Sequence, residues 1–454
     1  MRVVCLGTFF HIQSIGSINV SLAAIQEEFG ASLAAVQWIG LMGAIMLCSF
    51  SLSFARAGDL VGRRKIFRLG LVLYTLGAGL VAASESFTAL LAWRVAMALG
   101  LAMAAPLAGA IVASVFQHER RGRALGALAA AIALGRASGP TIGGLILQYW
   151  GCRGVFLANF LFGIPTCLVL YWVLRGPEER LEGSLDLPGA LTLAVGFPAL
   201  VVALSLGARA GWGSAEILLW LGVSAGGLAA FVYRELRARS PLMKLSYLRD
   251  PPLARALLSL VLATMTFYPV SIFGPLYLRH VVRAAPLSVG LAMATLPLCT
   301  TLLSPLSGRI ADRFDGRRVA FSGLWIILLG MFLYARLNAG STLTESVFVM
   351  AVIGAGIGIF VPANEKAAFS AATARDYGML SAMLTAFGTG AGALGTALAV
   401  ALAEAGREDR AIAGAAEFAA RQQFAFSCML PLALAAVAVT LLAKAPASGG
   451  APRD

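Results

Sequence analysis

Apolar runs long enough to cross a bilayer follow one another along the whole chain, and they decide what it can fold into. A helix rising 1.5 Å per residue needs roughly 20 apolar residues to span a hydrocarbon core of about 30 Å. Runs of that length fall at 3–24, 35–55, 66–84, 88–116, 124–148, 153–174, 187–207, 215–233, 253–276, 287–307, 319–337, 343–364, 377–403 and 424–444. In lipid, backbone polar groups must be satisfied within helices or closed barrels, so these fourteen runs predict an all-α integral membrane protein. Only 13% of residues are charged, about half the fraction of a soluble domain, which excludes one soluble core. The run directly after Met1-Arg2 mimics a signal peptide, but no convincing small-x-small cleavage site follows, so it reads as an uncleaved first helix.

Charge orients the predicted spans. The formal net charge is +13, yet the basic residues lie in short clusters between apolar runs and form no single stripe for nucleic acid. With the amino terminus inside, most Lys and Arg residues fall in cytoplasmic loops and tails, which puts both termini in the cytoplasm of a multi-pass cell-membrane protein. The basic loop Arg120-Arg121-Gly122-Arg123 serves that orientation. The six cysteines are scattered, without a C-x-x-C or Cys/His pattern, so neither a disulfide framework nor a metal site is expected. No nucleophile–base constellation, phosphate-binding loop or dinucleotide fingerprint is visible, and neither an enzyme nor an ATP-driven pump is expected.

The most specific string lies in the fifth span: Gly135-Arg136-Ala137-Ser138-Gly139-Pro140-Thr141-Ile142-Gly143-Gly144. Gly135, Gly139 and Gly143 recur every fourth residue and form one flat stripe, which lets two backbones approach closely in lipid. Pro140 denies the helix one hydrogen bond. Arg136 shares that turn, where a cation must face protein or water. By itself, the stripe would support only a tight helix–helix contact. The full string resembles the fifth-helix antiporter motif of the major facilitator superfamily, and most of all the branch of fourteen-helix drug:proton antiporters.

Further residues carry that resemblance. Ala55-Arg56-Ala57-Gly58-Asp59-Leu60-Val61-Gly62-Arg63-Arg64-Lys65 is similar to the family's loop between helices two and three, matching at Asp59, Gly62, Arg63 and Arg64. Gly62 permits a tight turn, and Asp59 can cap a helix terminus. A second copy, running from Gly308 to Arg318 with Asp312, Arg313, Arg317 and Arg318, lies between spans ten and eleven. Two such gating loops point to two related halves. Arg94 and Gly100 match the fourth-helix motif whose arginine is implicated in proton coupling, while Met97 and Ala98 depart from it. Arg94 is therefore either coupling machinery or a structural tie.

The first span carries a polar ladder of His11, Gln13, Ser14, Ser17, Asn19 and Ser21. Ser14, Ser17 and Ser21 share a face. The branch usually has an aspartate where Ser14 stands, a proline at Ala23 and a tyrosine at Gly43. Gln13, Ser14, Ser17 and Asn159 are the candidate cavity residues. Arg94, His11 and Glu365 are the proton-coupling candidates, since imidazole titrates near neutral pH and Glu365 is the best carboxylate available. Beside Lys366 at a predicted helix end, Glu365 reads more readily as interfacial. Glycines of spans twelve and thirteen read as packing faces, and Pro269 and Pro297 as interruptions of spans nine and ten.

The resemblance implies a major-facilitator-like fold of two six-helix bundles plus two extra helices. The divisions would be a first bundle over 1–177, a two-helix insert and linker over 178–250, a second bundle over 251–444 and a disordered tail over 445–454. It also implies a monomeric secondary transporter without cofactors, driven by the proton gradient, that exports small amphiphilic compounds or drugs. Arg136 and the missing acid at Ser14 extend that range to weakly acidic compounds. A metabolite:proton symporter and a non-transporting scaffold or receptor are the alternatives.

Overall fold

The structure is a computed structural model, described here over residues 2–115, 118–174, 185–238, 242–243, 245–370, 377–405 and 414–441. The expected tail over 445–454 lies outside the described residues, as do parts of the loops at 175–184 and 239–241. Among the described residues every regular element is helical. Thirteen helices among the described residues are long and apolar enough to cross a membrane.

Fourteen spans and thirteen helices agree once α6 (His118–Val173) is followed. Its 56 residues would extend about 84 Å as one straight helix. Gly151, at φ 68° and ψ −173°, folds it back instead, because a left-handed φ is open to glycine without a Cβ clash. The two arms, 118–150 and 152–173, are spans five and six.

The other spans in the first part are α1 (Arg2–Phe29), α2 (Leu33–Val61), α3 (Arg63–Ala82) and α4 (Phe87–Ala104), the last continued after Pro106 by α5 (Leu107–Val115). The extra pair is α7 (Leu187–Ala210) and α8 (Ala215–Arg237). The rest comprises α9 (Pro251–Phe267), α10 (Val270–His280), α11 (Pro286–Arg313), α12 (Gly316–Arg336), α13 (Leu343–Ser370), α14 (Tyr377–Glu404) and α15 (Ala415–Leu441). Ser32, Ser86 and Ser214 cap α2, α4 and α8 by accepting from backbone N–H groups of the first turn.

Several sequence expectations are corrected. α13 runs on through Pro362 to Ser370, so Glu365 is not at a helix end. Pro269 does divide its span into α9 and α10, but α11 passes through Pro297 unbroken. Nearby, the Thr300 hydroxyl bridges the carbonyls of Leu296 and of Gly354 in α13, both at 3.0 Å. The second gating string is mostly helix, with Gly308, Asp312 and Arg313 in the last turns of α11. The turn itself is Phe314-Asp315, and Asp315 caps α12. In the first string the tight turn is at Gly62, φ 124°. Asp59 caps nothing and instead accepts from Arg63 Nε at 2.7 Å.

Packing divides the spans. α1 lies along α6, α3 along α4, and α12 and α11 along α13. The contacts between the first six and last six spans are α6 with α11, α2 with α14, and α1 with α10 and α11. α7 lies against both α2 and α14, with Phe197 beside Gly390 and Cys48, and α8 packs on α7.

Candidate functional site

The glycine stripe of α6 resolves into two contacts. A Cβ at Gly135 would stand 2.8 Å from the Phe9 carbonyl oxygen, one at Gly139 2.4 Å from that of Gln13, and one at Gly143 2.4 Å from Ser17 Cα. Those three positions hold α1. Gly144 and the Pro140 carbonyl face the other way: a Cβ at Gly144 would stand 2.6 Å from the Pro286 carbonyl oxygen, and one at Gly290 2.4 Å from that of Pro140. This second contact joins the first six spans to α11, and only backbone-to-backbone approach allows it.

α1 uses its polar ladder for this packing. Gln13 donates to Ser17 Oγ at 2.7 Å, and Ser17 donates to the Gly139 carbonyl at 2.8 Å. Both are buried. Asn159 is buried too and donates to Val155 of its own helix at 2.8 Å. Of the four candidate cavity residues, these three are bound into helix contacts in this state.

Ser14 belongs to a second group. It donates to the His11 carbonyl at 2.7 Å, and its hydroxyl also meets that of Tyr74 on α3. The His11 and Tyr74 rings are 4.3 Å apart, and His11 Nε2 is buried without a hydrogen-bond partner. Arg94 is buried beside them and donates through Nε to the Ile39 carbonyl at 3.2 Å. A Cβ at Gly43 would lie 3.7 Å from Arg94 Nη2, so glycine in place of the usual tyrosine leaves the guanidinium room. Among these spans the described carboxylates Glu27, Glu28 and Asp59 are at helix ends and Glu85 is in the turn between α3 and α4, and Arg94 forms no ion pair with a described residue. Sequence reasoning missed Tyr74, which sits in the mostly apolar run of α3.

The third group lies between the first and last spans. Arg136, halfway along the first arm of α6, is exposed, and it is within electrostatic reach of Glu365 on α13 and Tyr268 at the α9–α10 break. Glu365 is half-buried and makes no hydrogen bond or ion pair with a described residue. Its neighbours set that direction. Asn364 is buried and locked to α9, donating to the Ala256 carbonyl at 3.0 Å and accepting from Ser259 at 3.1 Å. Lys366 turns away to the Ala311 carbonyl at 2.7 Å and Asp312 at 2.6 Å. Thus Lys366 ties α13 to the second gating string.

Polar ties between the two sets of spans gather at the Phe29 end of the bundle. Arg279 donates twice to Glu27, at 3.0 and 3.2 Å, and His280 Nε2 meets Gln26 at 3.1 Å. Glu404 accepts from the Ala34 N–H at 3.2 Å, and Gln148 from the Leu287 N–H at 3.4 Å. The bundle is shut at that end. Among the described residues no group of His, Cys, Asp and Glu could hold a metal ion.

Comparison with known proteins gives the following. A family profile described as "Major Facilitator Superfamily" matches residues 4–395 and again 256–453. The chain is 29% identical over 383 residues to "Multidrug resistance protein Stp" of Mycobacterium tuberculosis (strain CDC 1551 / Oshkosh), covering 84% of this chain and 71% of that protein. It is 25% identical over 405 residues to "Riboflavin transporter RibZ" of Clostridioides difficile (strain 630), covering 87% and 86%. A crystal structure of the peptide transporter POT in complex with sulfate superposes with a TM-score of 0.70 at 17% identity, over 96% of this chain and 93% of that one.

Proposed function

The chain belongs to the Major Facilitator Superfamily, and on that premise we propose that this secondary transporter, which is not an enzyme, exports small amphiphilic compounds in exchange for protons, with Glu365 as the proton-carrying group. The observation that carries this is the placement of Glu365. It is an unpaired carboxylate inside a helix of the last six spans, within electrostatic reach of an exposed mid-span arginine of the first six. A carboxylate so placed binds either a proton or a positively polarised group of a substrate. That competition makes the two move in opposite directions.

Alternating access follows from the two glycine contacts. α11 leans on α6 through Gly144 and Gly290, a surface without side chains to interlock, and the Glu27–Arg279 pair closes the same end. Separation of these contacts opens the Phe29 end. The resistance protein of M. tuberculosis supports the direction of transport. The charge distribution supports a plasma-membrane topology with both termini cytoplasmic. No cofactor is needed in this scheme, and a monomer suffices.

One observation favours a second reading. An anion on Arg136 would require Glu365 to be neutral, so anion and proton would move together, as in a symporter. Proteoliposomes with an imposed pH gradient separate the two. For antiport, an amphiphilic fluorescent cation moves against the proton flow, and Glu365→Gln abolishes the coupling while Arg136→Ala slows it about tenfold or more. Movement of an anionic dye with the protons, lost in the same variants, would establish the second reading and overturn the first.

A further inference from the structure

The α11–α12 turn holds two adjacent arginines with different surroundings. Arg317 is tied to the last turn of α15, donating to the Thr440 carbonyl at 2.9 Å and also to that of Leu441. Arg318 is exposed, and its guanidinium forms no hydrogen bond or ion pair with a described residue. It stands at the mouth of a cavity of about 260 Å³ lined by α11, α12 and α13, with Leu303, Leu306, Ile310, Phe314 and Ile359 as walls. The two hydroxyls in the lining are already used: Ser307 donates to the Ile359 carbonyl and Ser322 to that of Val319. Beyond Arg318 the cavity therefore offers a polar group little.

Its position says what fills it. α12 packs on α11, α13, α15 and α9, all among the last six spans, and the lining residues Leu306, Ile310 and Phe314 are exposed, so the groove opens on the outer wall of the bundle. From Phe314 to Leu303 it follows eleven residues of α11, about 16 Å along the axis. That is close to half of the roughly 30 Å hydrocarbon core, so the groove covers one leaflet and ends at the headgroup level where Arg318 stands. We propose that this groove is a binding site for an anionic phospholipid, one acyl chain lying along Leu303, Leu306 and Ile310 and the phosphate meeting the Arg318 guanidinium. Basic pockets between membrane helices bind such headgroups by the same charge complementarity. An occupied site would brace the turn whose Asp312 holds Lys366 of α13.

The test is photolabelling of the purified, full-length transporter in nanodiscs containing trace photoactivatable phosphatidylglycerol or phosphatidylcholine with identical chains, mapped by peptide mass spectrometry. We expect phosphatidylglycerol to label residues 303–322 at least about fivefold more than phosphatidylcholine does, a difference of about 1 kcal/mol. Arg318→Gln should remove that preference. Leu306→Trp, which fills the groove and keeps the charge, should remove the labelling itself. Arg313→Gln, an exposed arginine outside the groove, is the control. Equal labelling by both lipids, or equal loss in Arg313→Gln and Arg318→Gln, would overturn the proposal. Equal loss would mean general surface charge.

Discussion

At the residue scale, the chemistry rests on two arginines in opposite circumstances. Arg94 is buried, with one carbonyl acceptor and a histidine beside it, while Arg136 faces an unpaired carboxylate. His11 is buried against Tyr74 with Nε2 unpartnered, and the coupling role is assigned to Glu365 instead. His11→Gln should then leave the pH dependence of transport where it is, and Glu365→Gln should flatten it, as read from initial rates across pH 5–9. A shift in the His11→Gln profile would return the imidazole to the coupling role. Tyr74 is the neutral partner in that cluster. Removing its hydroxyl in Tyr74→Phe leaves Ser14 bonded only to its own helix and should lower stability by about 1 kcal/mol, measurable as a lower unfolding temperature in detergent.

At the element scale, the glycines decide which helices can separate. Gly143→Ala would push a methyl into Ser17 of α1, within one set of spans, and should destabilise the fold. Gly290→Ala meets the Pro140 carbonyl across the sets, and should instead weaken closure of the Phe29 end. The two are told apart by labelling of a cysteine placed at Gln26: faster labelling with unchanged unfolding temperature is expected for Gly290→Ala alone. Span count, glycine stripe and turn at Gly62 were all legible in the sequence, because each rests on local chain geometry. Which face of α6 meets α1 and which meets α11 was not legible, since one stripe fits either neighbour. Glu365 was misread for a related reason. Pro362 and Lys366 look like the end of a helix, but Lys366 reaches sideways to Asp312 and lets α13 run on. Asn364, locked to Ser259, carries no signal in one sequence because its partner is about a hundred residues away.

On the scale of the whole molecule, the Phe29 end is held by the pair of Glu27 and Arg279, aided by Gln26 and His280. These groups are partly exposed, so the pair itself is worth little in stability, ~1 kcal/mol or less, which suits a contact that must break in each cycle. Glu27→Gln should shift spin-label distances measured across that end toward a longer population, and the swap Glu27→Arg with Arg279→Glu should restore the short one. The extra helices α7 and α8 stand over the seam between α2 and α14. Asp186 and Arg234, 3.0 Å apart, join them near the linker.

The central claim is that one carboxylate, Glu365, exchanges a proton for substrate. Adding an amphiphilic cation to the purified protein in weakly buffered detergent, and following pH with an indicator dye, tests it most directly. Release of about one proton per bound substrate, absent in Glu365→Gln while binding persists, is the expected result. Binding without proton release in the unaltered protein, or the same release in Glu365→Gln, would contradict it.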